Sequence, residues 1–154
     1  MIVLDTNVLS EMMKPHPDQR VLRWFDHSSE EKWTTTISAG ELVTGVFLLP
    51  KGQKRRALAK VVDAALTELI RQDAVLPYGI EAAMAIGEVH AARKAMGRPI
   101  HDADAMIAAI CRAHDAPLAT RNLKDFEGTG VELSLIHISE PTRLYPKSRM
   151  PSSA

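Results

Sequence analysis

Three apolar residues, Ile2-Val3-Leu4, run straight into an aspartate at position 5, and that junction constrains the fold more than any other feature of the chain. Three residues are too few for a helix. With no polar alternation they suit a short strand buried on both faces, as strands of parallel sheets are. Val8, Leu9, Met12 and Met13 then recur at helical spacing until Pro15 and Pro17 stop them, and Val21, Leu22 and Phe25 mark a second short helix. Residues 33–37 are β-prone, and a helix starting at Ser38 carries Leu42, Val43 and Val46 as far as Pro50. A long amphipathic helix is predicted over residues 52–70, a strand over 74–76, and a helix over 80–96 closed by Gly97 and Pro99. A further helix over 102–114, a strand over 118–120 and a fifth strand over 131–133 complete the series. Strands alternating with helices predict an α/β fold with a mostly parallel sheet.

Length sets the domain count. The chain has 154 residues, enough for one compact domain and too few for two. Residues 1–132 are read as that domain. From residue 133 the composition shifts to proline, serine and basic residues without an apolar period, and residues 133–143 resemble the translation of a transposase adapter used in library sequencing. Residues 133–154 are therefore expected to be a non-native or disordered tail, with the exception that β-prone residues 135–138 can extend the edge strand begun at Val131.

Formal net charge is zero, so any nucleic-acid surface must come from how charge is distributed. The single cysteine, Cys111, excludes a disulfide framework and a cysteine-based zinc site, and it fits a reducing compartment. The N-terminus lacks a basic start. The longest apolar stretches, such as residues 42–50, fall short of the ~20 residues of a membrane span. A cytoplasmic protein without membrane association is expected.

Three carboxylates then stand out by position. Asp5 follows the first strand, Glu41 lies in the first turn of the helix after the second, and Asp104 lies in the first turn of the helix after Pro99. In a parallel sheet, strand C-termini and helix N-termini line one edge, where sites form. Each residue also has a purely structural use. Ser38 to Glu41 reads as a capping box, Asp102 as an N-cap with Asp104 stabilising the helix dipole, and Asp5 as a cap for the first helix. Caps alone do not account for Asp104, which shares an apolar, inward face with Ile107, Ala108 and Cys111. Two carboxylates ~4 Å apart repel by ~4 kcal/mol at an effective dielectric of 20, or about three pKa units, so a cation is needed to keep such a group ionised. Arg121 could reach in from the fourth strand; otherwise oxygen-rich ligands favour Mg²⁺ or Mn²⁺, which suit phosphoryl transfer.

Four segments in order now suggest a family. The opening Met1-Ile2-Val3-Leu4-Asp5-Thr6-Asn7-Val8-Leu9-Ser10-Glu11, then Ser38-Ala39-Gly40-Glu41-Leu42, Asp104-Ala105-Met106-Ile107-Ala108-Ala109 and Thr120-Arg121-Asn122-Leu123-Lys124-Asp125-Phe126 resemble the motifs of PIN-domain ribonucleases of the VapC/FitB-like toxin branch. That resemblance implies a PIN-like three-layer fold, with a mostly parallel central sheet flanked by helices. It implies a Mg²⁺- or Mn²⁺-dependent endoribonuclease cutting single-stranded RNA, the toxin of a type II toxin–antitoxin pair. Asp5, Asp104 and Glu41 would be the metal ligands, and Asn122 would stand where many relatives carry an acidic residue. Asp125 is the substitute for that fourth position, or else caps the local turn. Thr6 and Asn7 would orient Asp5, while His101 and Asp102 lie nearby without a required role. Implied partners are RNA, a VapB-like antitoxin, a second copy in a homodimer, and operator DNA reached only through the antitoxin.

Two basic groups are candidate phosphate-binding rims: Lys51, Lys54, Arg55, Arg56 and Lys60 at the start of the long helix, and Arg93, Lys94 and Arg98. Each could equally be a solvated helix face. A non-catalytic PIN-fold partner that holds an antitoxin on operator DNA is the competing reading, and it leaves the Asp5, Glu41 and Asp104 set without a purpose. A phosphatase with an aspartyl nucleophile fails, because Asn7 stands where its second aspartate is needed.

Overall fold

The computed structural model describes residues 1–136. Five strands form one sheet: β1 (Ile2–Leu4), β2 (Lys32–Thr35), β3 (Val75–Leu76), β4 (Leu118–Thr120) and β5 (Leu133–Leu135), in the order β3-β2-β1-β4-β5. Every pairing is parallel, with Val3 opposite both Trp33 and Leu118. Parallel pairing brings all the strand C-termini to one edge, and β1 sits at its centre.

Helices cover both faces, as the alternation of strands and helices requires. On one side Val3 and Leu118 pack against α5 (Ile80–Ala95) and α6 (Asp102–Ala113). On the other, Ile2, Leu4 and Ala119 pack against α1 (Thr6–Met12), α2 (Gln19–His27), α3 (Thr36–Leu48) and α4 (Gln53–Arg71). Residues alternate between the faces with the two-residue period of a strand. α6 is the most deeply set helix. Ala105, Ile107, Ala108, Ala109, Ile110 and Cys111 are all fully buried, so its first turn is held rigidly at the sheet edge. The three-layer α/β arrangement predicted from the sequence is the one observed.

Several local expectations are corrected. α3 begins at Thr36, two residues before Ser38, because the Thr35 hydroxyl at the end of β2 accepts the Ser38 N–H at 3.0 Å and serves as the cap. Asp102 is the first residue of α6, with His101 in the N-cap position, so Asp102 is not the cap. A four-residue helix, α7 (Leu123–Phe126), follows β4 and was not anticipated; a single turn leaves no apolar period to detect. β2 starts at Lys32 and ends at Thr35, earlier than expected.

The fifth strand runs from Leu133 to Leu135 and not over 131–133. Its start is set by the turn before it, where Gly128 and Gly130 have φ of 79° and 83° and the Thr129 hydroxyl donates to the Phe126 carbonyl. β5 thus lies beyond the boundary expected at residue 132, and Ile136 after it is buried against Ile2, Leu4 and Ala119. The rest of the expected tail, residues 137–154, lies outside the described residues. Among the described residues, no helix is long and apolar enough to cross a membrane.

Candidate active site

Asp5 leaves β1 with its N–H donated to the Ala119 carbonyl at 2.9 Å, which continues the β1–β4 ladder and fixes its backbone. It is also the N-cap of α1, and its Oδ1 accepts the Thr6 N–H at 2.7 Å. Its Oδ2 accepts the Thr120 hydroxyl at 2.8 Å from the end of β4, and that hydroxyl in turn accepts the Asn122 N–H at 3.0 Å. The side chain is only 4 % exposed. Burial raises its pKa from 3.8 to about 6, against the lowering effect of the Thr120 and Thr6 donors. The charges of Asp104 and Glu41 push it further the same way.

Glu41 projects from α3 toward α1. Its Oε1 accepts the Thr6 hydroxyl at 2.6 Å, and the Thr6 and Ser38 hydroxyls lie 2.8 Å apart. With one proton on each hydroxyl, a single arrangement satisfies both contacts: Ser38 donates to Thr6 and Thr6 donates to Glu41. The expected capping box is therefore absent. Thr35 takes the Ser38 amide that Glu41 was expected to satisfy, and Glu41 is freed for the sheet edge. Thr6 orients Asp5 through its amide and Glu41 through its hydroxyl. Asn7 turns to the other side, where its Oδ1 faces the Arg121 N–H at 3.5 Å.

Asp104 sits half-buried at the start of α6. Its pKa is also raised to about 6, first by burial, then by the charges of Asp125 and Glu41, against smaller lowering effects of His101 and Arg93. Asp102 differs entirely. Its side chain is 95 % exposed and 4.0 Å from His90 Nε2. The fourth segment contributes a linked pair, since the Asn122 amide donates to Asp125 Oδ2 at 2.5 Å. Asp125, through its effect on Asp104, belongs to the same field.

Among the described residues, no arginine forms an ion pair with this group, and Arg93 acts on Asp104 only weakly, as a charge at a distance. Arg121, expected as a candidate counter-charge, turns away and pairs with Glu11 at 2.9 Å and Asp18 at 3.0 Å. Among the described residues, no three carboxylate, imidazole or thiol groups converge on one point. Asp5, Glu41, Asp104 and Asp125 share an edge and an electric field without a common centre. Asp5 and Asp104, buried and half-buried with pKa values raised to about 6, are carboxylate donors of the kind a hard divalent cation takes.

The second basic patch is also corrected. Arg93 is 5 % exposed, and its guanidinium donates to the carbonyls of Arg98, Lys124 and Glu127, while Arg98 pairs with Glu127 at 3.0 Å. These side chains brace the α7 turn. Sequence reading assigned Thr120 no role, although it stood inside a motif; only the parallel β1–β4 pairing puts its hydroxyl on Asp5.

Comparison with known proteins agrees with this architecture. The PIN domain family model matches residues 2–131, and the chain belongs to that family. It is 34% identical over 134 residues to the VapC ribonuclease Y4jK of Sinorhizobium fredii, covering 86% of this chain and 95% of that protein. It is also 34% identical over 127 residues to the toxin FitB of Neisseria gonorrhoeae, covering 82% and 91%. Among solved structures, the FitAcB crystal structure from Neisseria gonorrhoeae superposes with a TM-score of 0.80 at 32% identity, over 89% of this chain and 99% of that one. A FitAB complex bound to an IR36 DNA fragment gives the same TM-score at 31% identity, over 88% and 95%.

Proposed function

We propose that this chain is a divalent-metal-dependent endoribonuclease that cuts single-stranded RNA, acting as the toxin of a type II toxin–antitoxin pair. The observation that carries the reading is the pair of carboxylates with raised pKa at one sheet edge, Asp5 and Asp104, neither of them in an ion pair with an arginine among the described residues. Membership in the PIN family and likeness to a VapC ribonuclease supply the reaction class.

Asp5 and Asp104 are the principal residues to hold Mg²⁺ or Mn²⁺, with Glu41 completing the set. A bound cation of this kind supplies a Lewis acid that lowers the pKa of water and stabilises charge on a scissile phosphate. Thr120 and the Thr6 amide fix the two oxygens of Asp5, and the Thr6 hydroxyl aims Glu41. Asn122, held by Asp125, offers an amide for a water or phosphate oxygen at the fourth position.

By likeness to FitAB and to the toxin FitB, the partner is a VapB-like antitoxin. Operator DNA is then reached only through the antitoxin, and the toxin acts as a homodimer in the cytoplasm. Exposed Phe47 and Leu48 on α3, at 66% and 79%, and Met84 on α5, at 79%, are in keeping with protein partners covering them.

The test is incubation of the purified chain with a mixed RNA pool in Mg²⁺, Mn²⁺ or EDTA, followed by mapping of the new ends. Discrete cuts are expected with either metal and none in EDTA, and Asp5→Asn and Asp104→Asn should each remove most cleavage. Full activity in both variants would overturn the assignment.

A further inference from the structure

Arg121 stands between two residues that touch the site, yet its side chain takes no part in it. Before it, Thr120 donates to Asp5; after it, the Asn122 N–H donates to Thr120. Its guanidinium runs the other way, giving Nη1 to Glu11 and Nη2 to Asp18. Both acceptors are already fixed. Glu11 is 7 % exposed and accepts the Asp18 N–H at 2.9 Å and the Lys14 ammonium at 2.8 Å, which ties the end of α1 to the start of α2. Asp18 caps α2 by accepting the Arg20 N–H.

A planar guanidinium that meets two held carboxylates through different nitrogens is fixed in orientation as well as in place. That distinguishes it from an exposed one-contact pair. The sheet ladder ends at Thr120, and beyond it the long 3.5 Å contact of the Arg121 N–H to Asn7 Oδ1 is joined by the two shorter bonds of the Arg121 side chain. We infer that Arg121 is a positioning residue: the Glu11–Arg121–Asp18 cluster clamps the turn after β4 against the α1–α2 corner and thereby holds the Thr120 hydroxyl on Asp5. The inference rests on the reading of Asp5 as part of a metal-dependent nuclease site.

Four forms of the full chain test it: wild type, Arg121→Met, Thr120→Val and the double variant. In each, amide hydrogen exchange, calorimetric Mn²⁺ binding and RNA cleavage kinetics are measured well below the melting temperature. In Arg121→Met, exchange at Thr6 and Asn122 should quicken roughly tenfold, while Val3 and Leu118 in the strands keep their rates. Mn²⁺ binding should weaken, and kcat should fall roughly ten- to hundredfold with KM for RNA nearly unchanged, as a small misplacement of a site group produces. The double variant should be no slower than Thr120→Val alone, because residues that act through one contact are not additive. Arg121→Lys keeps the charge without the fork and should recover part of the loss; it also serves if the Met variant fails to fold. Unchanged exchange at Thr6 and Asn122, exchange quickened equally everywhere, or losses that multiply in the double variant would each overturn the inference. A wild-type chain that neither bound Mn²⁺ nor cut RNA would instead sink the nuclease reading, and the exchange data alone would then decide the role of Arg121.

Discussion

Asp5 is 4 % exposed, and among the described residues the Thr6 amide and the Thr120 hydroxyl are the donors to its carboxylate. A carboxyl whose folded pKa is about 6 binds its proton more tightly folded than unfolded. Its ionisation therefore costs stability in full above about pH 6, and the cost fades as the pH falls from about 6 to about 4. A shift of two units corresponds to roughly 3 kcal/mol. Asp5→Asn should thus melt several degrees higher than wild type at pH 7.5, and the advantage should shrink steadily toward pH 4. Mn²⁺ should raise the melting temperature of the wild type at pH 7.5 and hardly change that of Asp5→Asn. A variant that melted lower than wild type at pH 7.5 would mean that the carboxylate is not under electrostatic strain. Asp102 and Asp104, two residues apart, separate the same way. Asp102 is exposed beside His90 and is not the cap, so Asp102→Ala should leave cleavage unchanged and cost well under 1 kcal/mol. Asp104→Ala should abolish cleavage. Thermal melts run beside cleavage assays decide, and an inactive, stable Asp102→Ala would move the site onto Asp102.

The elements that the sequence made legible are those with a period or an abrupt boundary. β1 announces itself through Ile2-Val3-Leu4 meeting Asp5, and α6 through the apolar face that Asp104 shares with Ile107, Ala108 and Cys111. What stayed hidden depends on contacts between distant residues. Thr35 outcompetes Ser38 as the cap of α3 only because β2 ends where it does, and Arg121 is drawn from the carboxylates by Glu11 and Asp18, more than a hundred residues earlier. The basic start of α4 shows how one charge pattern divides. Arg93 and Arg98 proved to be structural, but among the described residues Lys54 and Arg56 have no carboxylate partner. Arg55 lies over the ring of Phe47, 4.8 Å from its centroid. On the proposed reading, cations without a carboxylate partner are available to neutralise phosphates of a bound RNA. Replacing Lys54, Arg55 and Arg56 with Gln should therefore weaken RNA binding more at low salt than at high salt and flatten the salt slope, which reports the number of phosphates contacted. An unchanged slope in a fluorescence-anisotropy titration would assign these side chains to solvent or to a protein partner.

At the scale of the whole molecule, the sheet order places β1 between β2 and β4, so Asp5 emerges at the middle of the edge, between the ends of its two neighbours. No local pattern encodes that order. It follows from which faces α1, α5 and α6 cover once the strands pair. β5 closes the other side of β4, and it falls just past the boundary that composition suggested. A short β-prone segment beside an open edge is enough to form such a strand, whatever its origin. Its contribution is structural: the Leu118 N–H donates to the Glu132 carbonyl at 2.9 Å, Leu118, Ala119 and Thr120 pair with Leu133, Ser134 and Leu135, and Ile136 is 2 % exposed. Burial of one Ile side chain is worth about 1.5–3 kcal/mol, and the uncovered edge of β4 adds to the loss. Ending the chain after Glu132 should therefore lower the melting temperature by roughly 10 °C. Ending it after Ile136 removes only the segment with Pro141, Pro146 and Pro151 and should leave melting and cleavage unchanged. Because Thr120, the donor to Asp5, is paired with Leu135, the shorter truncation product should also lose cleavage well below its melting point, by slackening the end of β4. If the chain ending at Ile136 melted as low as the one ending at Glu132, stability would reside in residues after 136, and β5 could not be the element that seals the sheet.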